Sequence, residues 1–145
     1  MKEIVLIGFG GNVFDATLTE LLESGLSIVA FVPNPDRFMV NNPKLVIHRL
    51  DLNDKTTMIQ SFTGYDKAII ALETNLTNHD LNEIVLKHYN TITTAVIEAG
   101  VKRLIVVGGP YSEAFYTGDL KRHEGYDWKF ISTEGNYPRH IFENL

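Results

Sequence analysis

The chain contains no cysteine among its 145 residues. That excludes disulfides and thiolate chemistry, and it fits a cytoplasmic protein. No long hydrophobic run is present either. The first apolar stretch, Ile4–Ile7, stops at Gly8, too short for the core of a signal peptide and far too short to span a bilayer. Positive charge is in deficit: 13 Lys and Arg stand against 18 Asp and Glu, a net charge of −5. No basic face is expected, so nucleic acid is not an expected partner, and neither is a membrane. Internal repeats, low-complexity tracts and linkers are also lacking, and 145 residues suit one domain spanning 1–145.

What is there is a series of short, continuous, β-branched runs. Ile4–Ile7, Ser27–Val32, Leu45–Ile47, Ala68–Ala71 and Leu104–Val107 read as strands buried on both faces, and Trp128–Ser132 as a sixth, weaker one. Between them lie helical patterns. Asn12–Ser24 carries Val13, Leu18, Leu21 and Leu22 and ends at Gly25; Asp54–Phe62 ends at Gly64. The clearest helix follows His79. Asp80 and Glu83 form a capping-box pattern, Val85, Tyr89, Ile92, Val96 and Ala99 form a buried stripe, and Gly100 closes it. The alternation predicts an α/β fold: a doubly wound parallel sheet of the Rossmann type, with right-handed crossovers and a strand order near 3-2-1-4-5-6.

The stretch IVLIGFGGNVFDA, Ile4 to Ala16, places a glycine turn between the first strand and the first helix. A phosphate needs bare backbone N–H groups and the positive end of a helix, and glycines permit the tight turn and the close approach. Gly8, Gly10 and Gly11 supply these. Phe14 stands where a third glycine would let helix and strand pack closely. Either the helix start shifts and the loop still holds phosphate, or the ring packs with Leu18 and Leu21 in a site no longer used.

Taken together, these segments resemble the NmrA-like, NAD(P)-binding branch of the atypical short-chain dehydrogenases. IVLIGFGGNVF is similar to that family's glycine turn. VPNPDRF resembles its segment after strand two, HRLDLND its segment after strand three, and AIIALETN its strand four. AVIEAGVKRLIVVGG, Ala95 to Gly109, is the closest match, and DWKFIST resembles the strand that follows. The resemblance implies NAD or NADP as cofactor. It implies backbone contacts to the pyrophosphate at Gly8, Phe9, Gly10, Gly11, Asn12 and Val13. Further cofactor contacts fall at Asn34, at Asp51 and Leu52 beside the adenine, and at Ala71 and Leu72 beside the nicotinamide ribose; Arg37, outside the family's pattern, either reaches a phosphate or is a solvated loop residue. The departures matter too. The family's NADP-selecting arginine aligns with Pro33, no carboxylate ends strand two, and Glu73 replaces a glycine after strand four.

Catalytic residues are less legible. The superfamily's Tyr-x-x-x-Lys pair is missing: none of the six tyrosines has a lysine four residues on, and Lys121 lies five after Tyr116. Tyr111 and Ser112, just beyond strand five, stand where substrate chemistry falls in this architecture; as plain loop residues they would need no such role. His48, His79, His88, His123 and His140 show no metal-ligand spacing, so no metal is expected. No nucleophile elbow and no Walker lysine is present.

Three readings follow. The first is a small NAD(P)-dependent oxidoreductase or epimerase acting on a small molecule. The second is a non-catalytic dinucleotide-binding redox sensor. The third is a degenerate domain serving as an oligomeric interaction module. Little chain separates Gly109 from Asp127, so substrate cover looks sparse. The apolar tail residues Tyr137, Ile141, Phe142 and Leu145 have no obvious place to pack, which points to a homo-oligomer. The alternative is a tail that folds back over its own strand six.

Overall fold

A computed structural model describes residues 3–38, 40–72, 79–109, 113–134, 137–138 and 141–145. Six strands run parallel: β1 (Ile4–Gly8), β2 (Ile28–Val32), β3 (Leu45–Arg49), β4 (Lys67–Ala71), β5 (Arg103–Gly108) and β6 (Asp127–Glu134). They lie in the order β3-β2-β1-β4-β5-β6, the expected doubly wound arrangement. A two-residue strand, β7 (Tyr137–Pro138), is added antiparallel to β6. Four helices connect them: α1 (Asn12–Glu23), α2 (Lys55–Phe62), α3 (His79–Glu98) and α4 (Glu113–Leu120).

The continuous apolar runs have a direct cause. Successive strand side chains point to opposite faces, and both faces of this sheet are covered. Val5 and Ile7 of β1 pack with Val29 and Phe31 of β2, Ile70 of β4 and Val106 of β5 under α2, α3 and α4. Ile4 and Leu6 turn the other way, with Ala30, Ile69 and Val107, under α1. Of the α3 stripe read from the sequence, Val85, Tyr89, Ile92 and Val96 are buried, while Ala99, just past the helix end at Glu98, is only partly buried. The helix starts at His79, and the side chain of Asp80, read as part of a capping box, lies outside the described residues.

Two features depart from expectation, the segment after β5 and the tail. The segment after β5, with its poor apolar periodicity, nonetheless forms α4, because Tyr116 and Leu120, four residues apart, are both fully buried against the sheet. The crossover from β2 to β3, where the sequence offers no helical pattern, holds a single 3-10 turn among the described residues, Pro35–Arg37, so among those residues the α1 side carries one helix where the opposite side carries three. The tail fills part of that deficit. Ile141 is fully buried in the α1-side core and Leu145 packs against it. The Lys67 ammonium donates to the Leu145 carbonyl at 2.5 Å, and the Arg103 guanidinium to the Asn144 carbonyl at 2.9 Å. The expectation that Ile141 and Leu145 lack a place to pack is thus corrected; the alternative, a tail folded back on its own sheet, is what these residues do. The side chains of Tyr137 and Phe142 lie outside the described residues.

Candidate functional site

The glycine turn leaves β1 at Gly8 and enters α1 at Asn12. Gly10 has φ 90° and Gly11, the residue capping α1, has φ 96° and ψ −178°. The latter conformation belongs essentially to glycine. It turns the chain sharply into the helix without spending a side chain there: no side-chain hydrogen bond caps the first turn of α1. The N-cap residue itself lays no acceptor across the positive end of the helix, although Asp15 stands in its first turn; a start of this kind, glycine followed by bare main chain, suits an anion.

Phe14 does not push the helix off the sheet. Its ring is fully buried, in a cluster with Val13, Leu18 and Leu21. Gly8 accommodates it, because a Cβ there would lie 2.4 Å from Phe14 Cδ2 and 2.5 Å from the Ala71 carbonyl oxygen. The missing third glycine is compensated by the first. On its far edge the Phe14 ring meets Phe38, with centroids 5.3 Å apart. Phe38 in turn reaches Gly10, where a Cβ would come within 3.2 Å of its ring tip.

A cavity of about 720 Å³ opens beside this turn, within the size range of small-molecule sites. Phe9, Gly10 and Gly11 form one wall, Asp15, Leu18, Thr19 and Leu22 of α1 a second, and Pro33, Asn34, Arg37, Phe38 and Val40 a third. Of the residues expected from the sequence, the fold brings together Phe9, Gly10, Gly11, Asn34 and Arg37. Gly8, Asn12 and Val13 flank them in the chain, with Asn12 exposed and the Val13 side chain buried. Asp51, Leu52, Ala71 and Leu72 stand apart from this cavity. Asp51 is exposed and accepts from the Asn53 amide at 3.0 Å. Leu52 packs against the core on the α2–α4 side. Ala71 and Leu72 are buried, and the Leu72 carbonyl accepts from the Tyr116 hydroxyl at 3.2 Å. Tyr111, Ser112 and Glu73 lie outside the described residues.

Sequence reasoning missed Asp15, Thr19, Leu22, Phe38 and Val40, which meet only because the short β2–β3 crossover leaves the flank of α1 uncovered. It also missed the neighbourhood of Phe9, whose ring meets His88 of α3 edge-on at 6.1 Å. Partial burial, with a smaller contribution from Lys87, lowers the His88 pKa, so the imidazole is neutral at pH 7. Among the described residues no group of three or more His, Asp or Glu could hold a metal ion, and no helix is long and apolar enough to cross a membrane.

A family profile described as NAD(P)H-binding matches residues 9–130. Among solved structures, the chain is similar to a candidate epimerase from Bacteroides thetaiotaomicron, with 27% identity and a TM-score of 0.71 over 90% of this chain and 70% of that one. It shares its fold with the triphenylmethane reductase of a Citrobacter species, solved with NADP(H): 17% identity, TM-score 0.69, 91% of this chain and 49% of that one. The same holds for the enzyme WbmH of Bordetella bronchiseptica, solved with NAD+: 15% identity, TM-score 0.66, 91% of this chain and 55% of that one. No curated protein matches the chain at a significant level.

Proposed function

Because the chain belongs to the NAD(P)H-binding family, we propose that it binds a nicotinamide dinucleotide at the glycine turn and works as a small oxidoreductase or epimerase. The observation that carries this reading is the turn itself. Gly10 and Gly11 take conformations that favour glycine, the N-cap of α1 is one of them and so carries no side chain, and both glycines line the cavity. That combination fits a pyrophosphate, which needs close backbone approach and main-chain donors. When bound, the nicotinamide supplies hydride transfer; the chain's part is to seat the phosphates on Gly10, Gly11 and the start of α1. The reductase and epimerase relatives support the class of chemistry, and the substrate is a small molecule.

A second reading, a non-catalytic dinucleotide binder such as a redox sensor, is favoured by one observation. Tyr116, the tyrosine on α4, is fully buried and hydrogen-bonded to the Leu72 carbonyl, and so is not poised to exchange a proton with a substrate.

Calorimetric titration with NAD, NADH, NADP and NADPH tests the shared premise. Saturable binding of at least one form is expected, and no heat at millimolar ligand would overturn both readings. Stopped-flow oxidation of the bound reduced form by a panel of carbonyl compounds and quinones then separates enzyme from binder.

A further inference from the structure

We infer that Tyr116 is a positioning residue for the nicotinamide half of the ligand: its hydroxyl holds the Leu72 carbonyl and so fixes the exit of β4, one bank of the crevice in which that half lies. This rests on the dinucleotide reading above and deepens it. In a doubly wound sheet a dinucleotide lies across the carboxyl ends of the strands, where the strand order reverses, with one mononucleotide half on each side. The reversal here falls between β1 and β4. The cavity at Gly10 and Gly11 runs to the β2 side, with Pro33 and Asn34 in its wall, which leaves the β4 side to the nicotinamide. Gly8 and Ala71 are in register, so the next residues, Phe9 and Leu72, open the two banks of the crevice.

Both banks are braced by α3. His88 meets the Phe9 ring edge-on at 6.1 Å. Its neighbour Tyr89 meets the Tyr116 ring, with centroids 4.9 Å apart, and the Tyr116 hydroxyl donates to the Leu72 carbonyl at 3.2 Å. Tyr116 thereby ties α4, α3 and the end of β4 together. Leu72 lies one residue past the pairing of β4 with β1 and β5, which ends at Ala71, and it is buried. A buried carbonyl outside the ladder needs a donor. Without the Tyr116 hydroxyl the segment relaxes toward conformers in which water supplies one. A ligand that needs the fixed bank then binds more weakly, in proportion to the fraction of molecules that still hold it.

A second tyrosine makes the same kind of bond away from the crevice. The Tyr126 hydroxyl donates to the Val101 carbonyl at 2.8 Å, and Val101 precedes β5 at its amino end, the opposite edge of the sheet. Loss of that hydroxyl costs stability without touching either bank, which makes it a matched control.

The test is calorimetry on the intact chain with NADH or NADPH, whichever the wild type binds more tightly, and with ADP, which keeps the adenosine half and two phosphates but has no nicotinamide half. A thermal melt accompanies each variant. Tyr116→Phe keeps the ring and its contact with Tyr89. It is expected to bind the dinucleotide roughly 5-fold more weakly, the factor that one hydrogen bond is worth, with ADP unchanged to within about twofold. Tyr126→Phe should also melt below the wild type, yet bind both ligands as the wild type does. Wild-type dinucleotide affinity in Tyr116→Phe, an equal loss for ADP, or an equal loss in Tyr126→Phe would reduce the Tyr116 bond to a structural one and overturn the inference while the dinucleotide reading stands. Failure of both dinucleotides to bind the wild type would overturn that reading and this inference with it.

Discussion

The edge of the Phe14 ring fills the place that a side chain on Gly8 would need, 2.4 Å from an ideal Cβ, and the Ala71 carbonyl blocks the same place at 2.5 Å. The two residues are therefore coupled. Phe14→Ala is expected to cost roughly 3–5 kcal/mol, the usual range for emptying a buried aromatic position. Gly8→Ala should also destabilise, and Phe14→Ala should not rescue it, because the Ala71 carbonyl belongs to the sheet and cannot move aside. Urea denaturation of the two single variants and the double variant reads this. A double variant as stable as Phe14→Ala alone would show that the ring is the only obstacle.

Gly11 couples stability to binding. With φ 96° and ψ −178° it occupies a region closed to other residues, so Gly11→Val should cost about 1–3 kcal/mol in backbone strain and abolish dinucleotide binding. A melt and a titration on the same sample separate the two effects. Retained affinity would place the ligand elsewhere on the molecule.

Asp54 caps α2: its carboxylate accepts from the Thr57 amide at 3.0 Å and the Thr57 hydroxyl at 2.7 Å. The Thr57 amide, then the Thr57 hydroxyl, hold its pKa below the ordinary value of 3.8. A depressed carboxylate stabilises the fold above its unfolded pKa and loses that contribution as the pH falls through the folded value. The stability gap between wild type and Asp54→Ala should therefore be constant near neutrality and narrow only in strong acid. A gap that closes already near neutral pH would contradict the cap.

Tyr126 gives the opposite sign. Burial, and then the neighbouring Asp127 charge, push its phenol up to about 12, and its hydroxyl donates to the Val101 carbonyl at 2.8 Å. A raised folded pKa means a contribution intact below the unfolded value of about 10 and lost as the pH rises through the folded value. Tyr126→Phe should cost about 1 kcal/mol at neutral pH, and that advantage of the wild type should shrink and then reverse as the pH rises above the unfolded value, because the buried site penalises the phenolate. Spectrophotometric titration is expected to show one tyrosine in the wild type ionising about two units later than a free phenol, and that step should be missing in Tyr126→Phe.

Much of the fold is legible in the residues themselves. Runs such as Leu104–Val107 offer no polar face and so demand a sheet covered on both sides, and the Val85–Val96 stripe demands a helix beneath it. The glycine turn is legible for the same reason, since few other structures use three glycines between such a strand and such a helix. What escapes is set by distant contacts. The α4 segment has little periodicity of its own and is held by the burial of Tyr116 and Leu120. The role of Phe38 depends on Phe14, and that Arg37 lines the cavity while Asp36 does not is visible only once the 3-10 turn is in place.

Ile141 sits in the same layer as Phe14 and should be as sensitive: Ile141→Ala is expected to cost about 2–5 kcal/mol. A denaturation midpoint equal to wild type would show that the tail does not contribute to that core.

This layer also makes the two sides of the sheet unequal in how they close. The side bearing α2, α3 and α4 is built largely from neighbours in sequence, strand to helix to strand. On the side bearing α1, Ile141 and Leu145 join Leu6, Phe14 and Ile105, which lie far from them in sequence, and long-range closure of that kind is slow. The α1 side is therefore expected to be the later of the two to close on refolding.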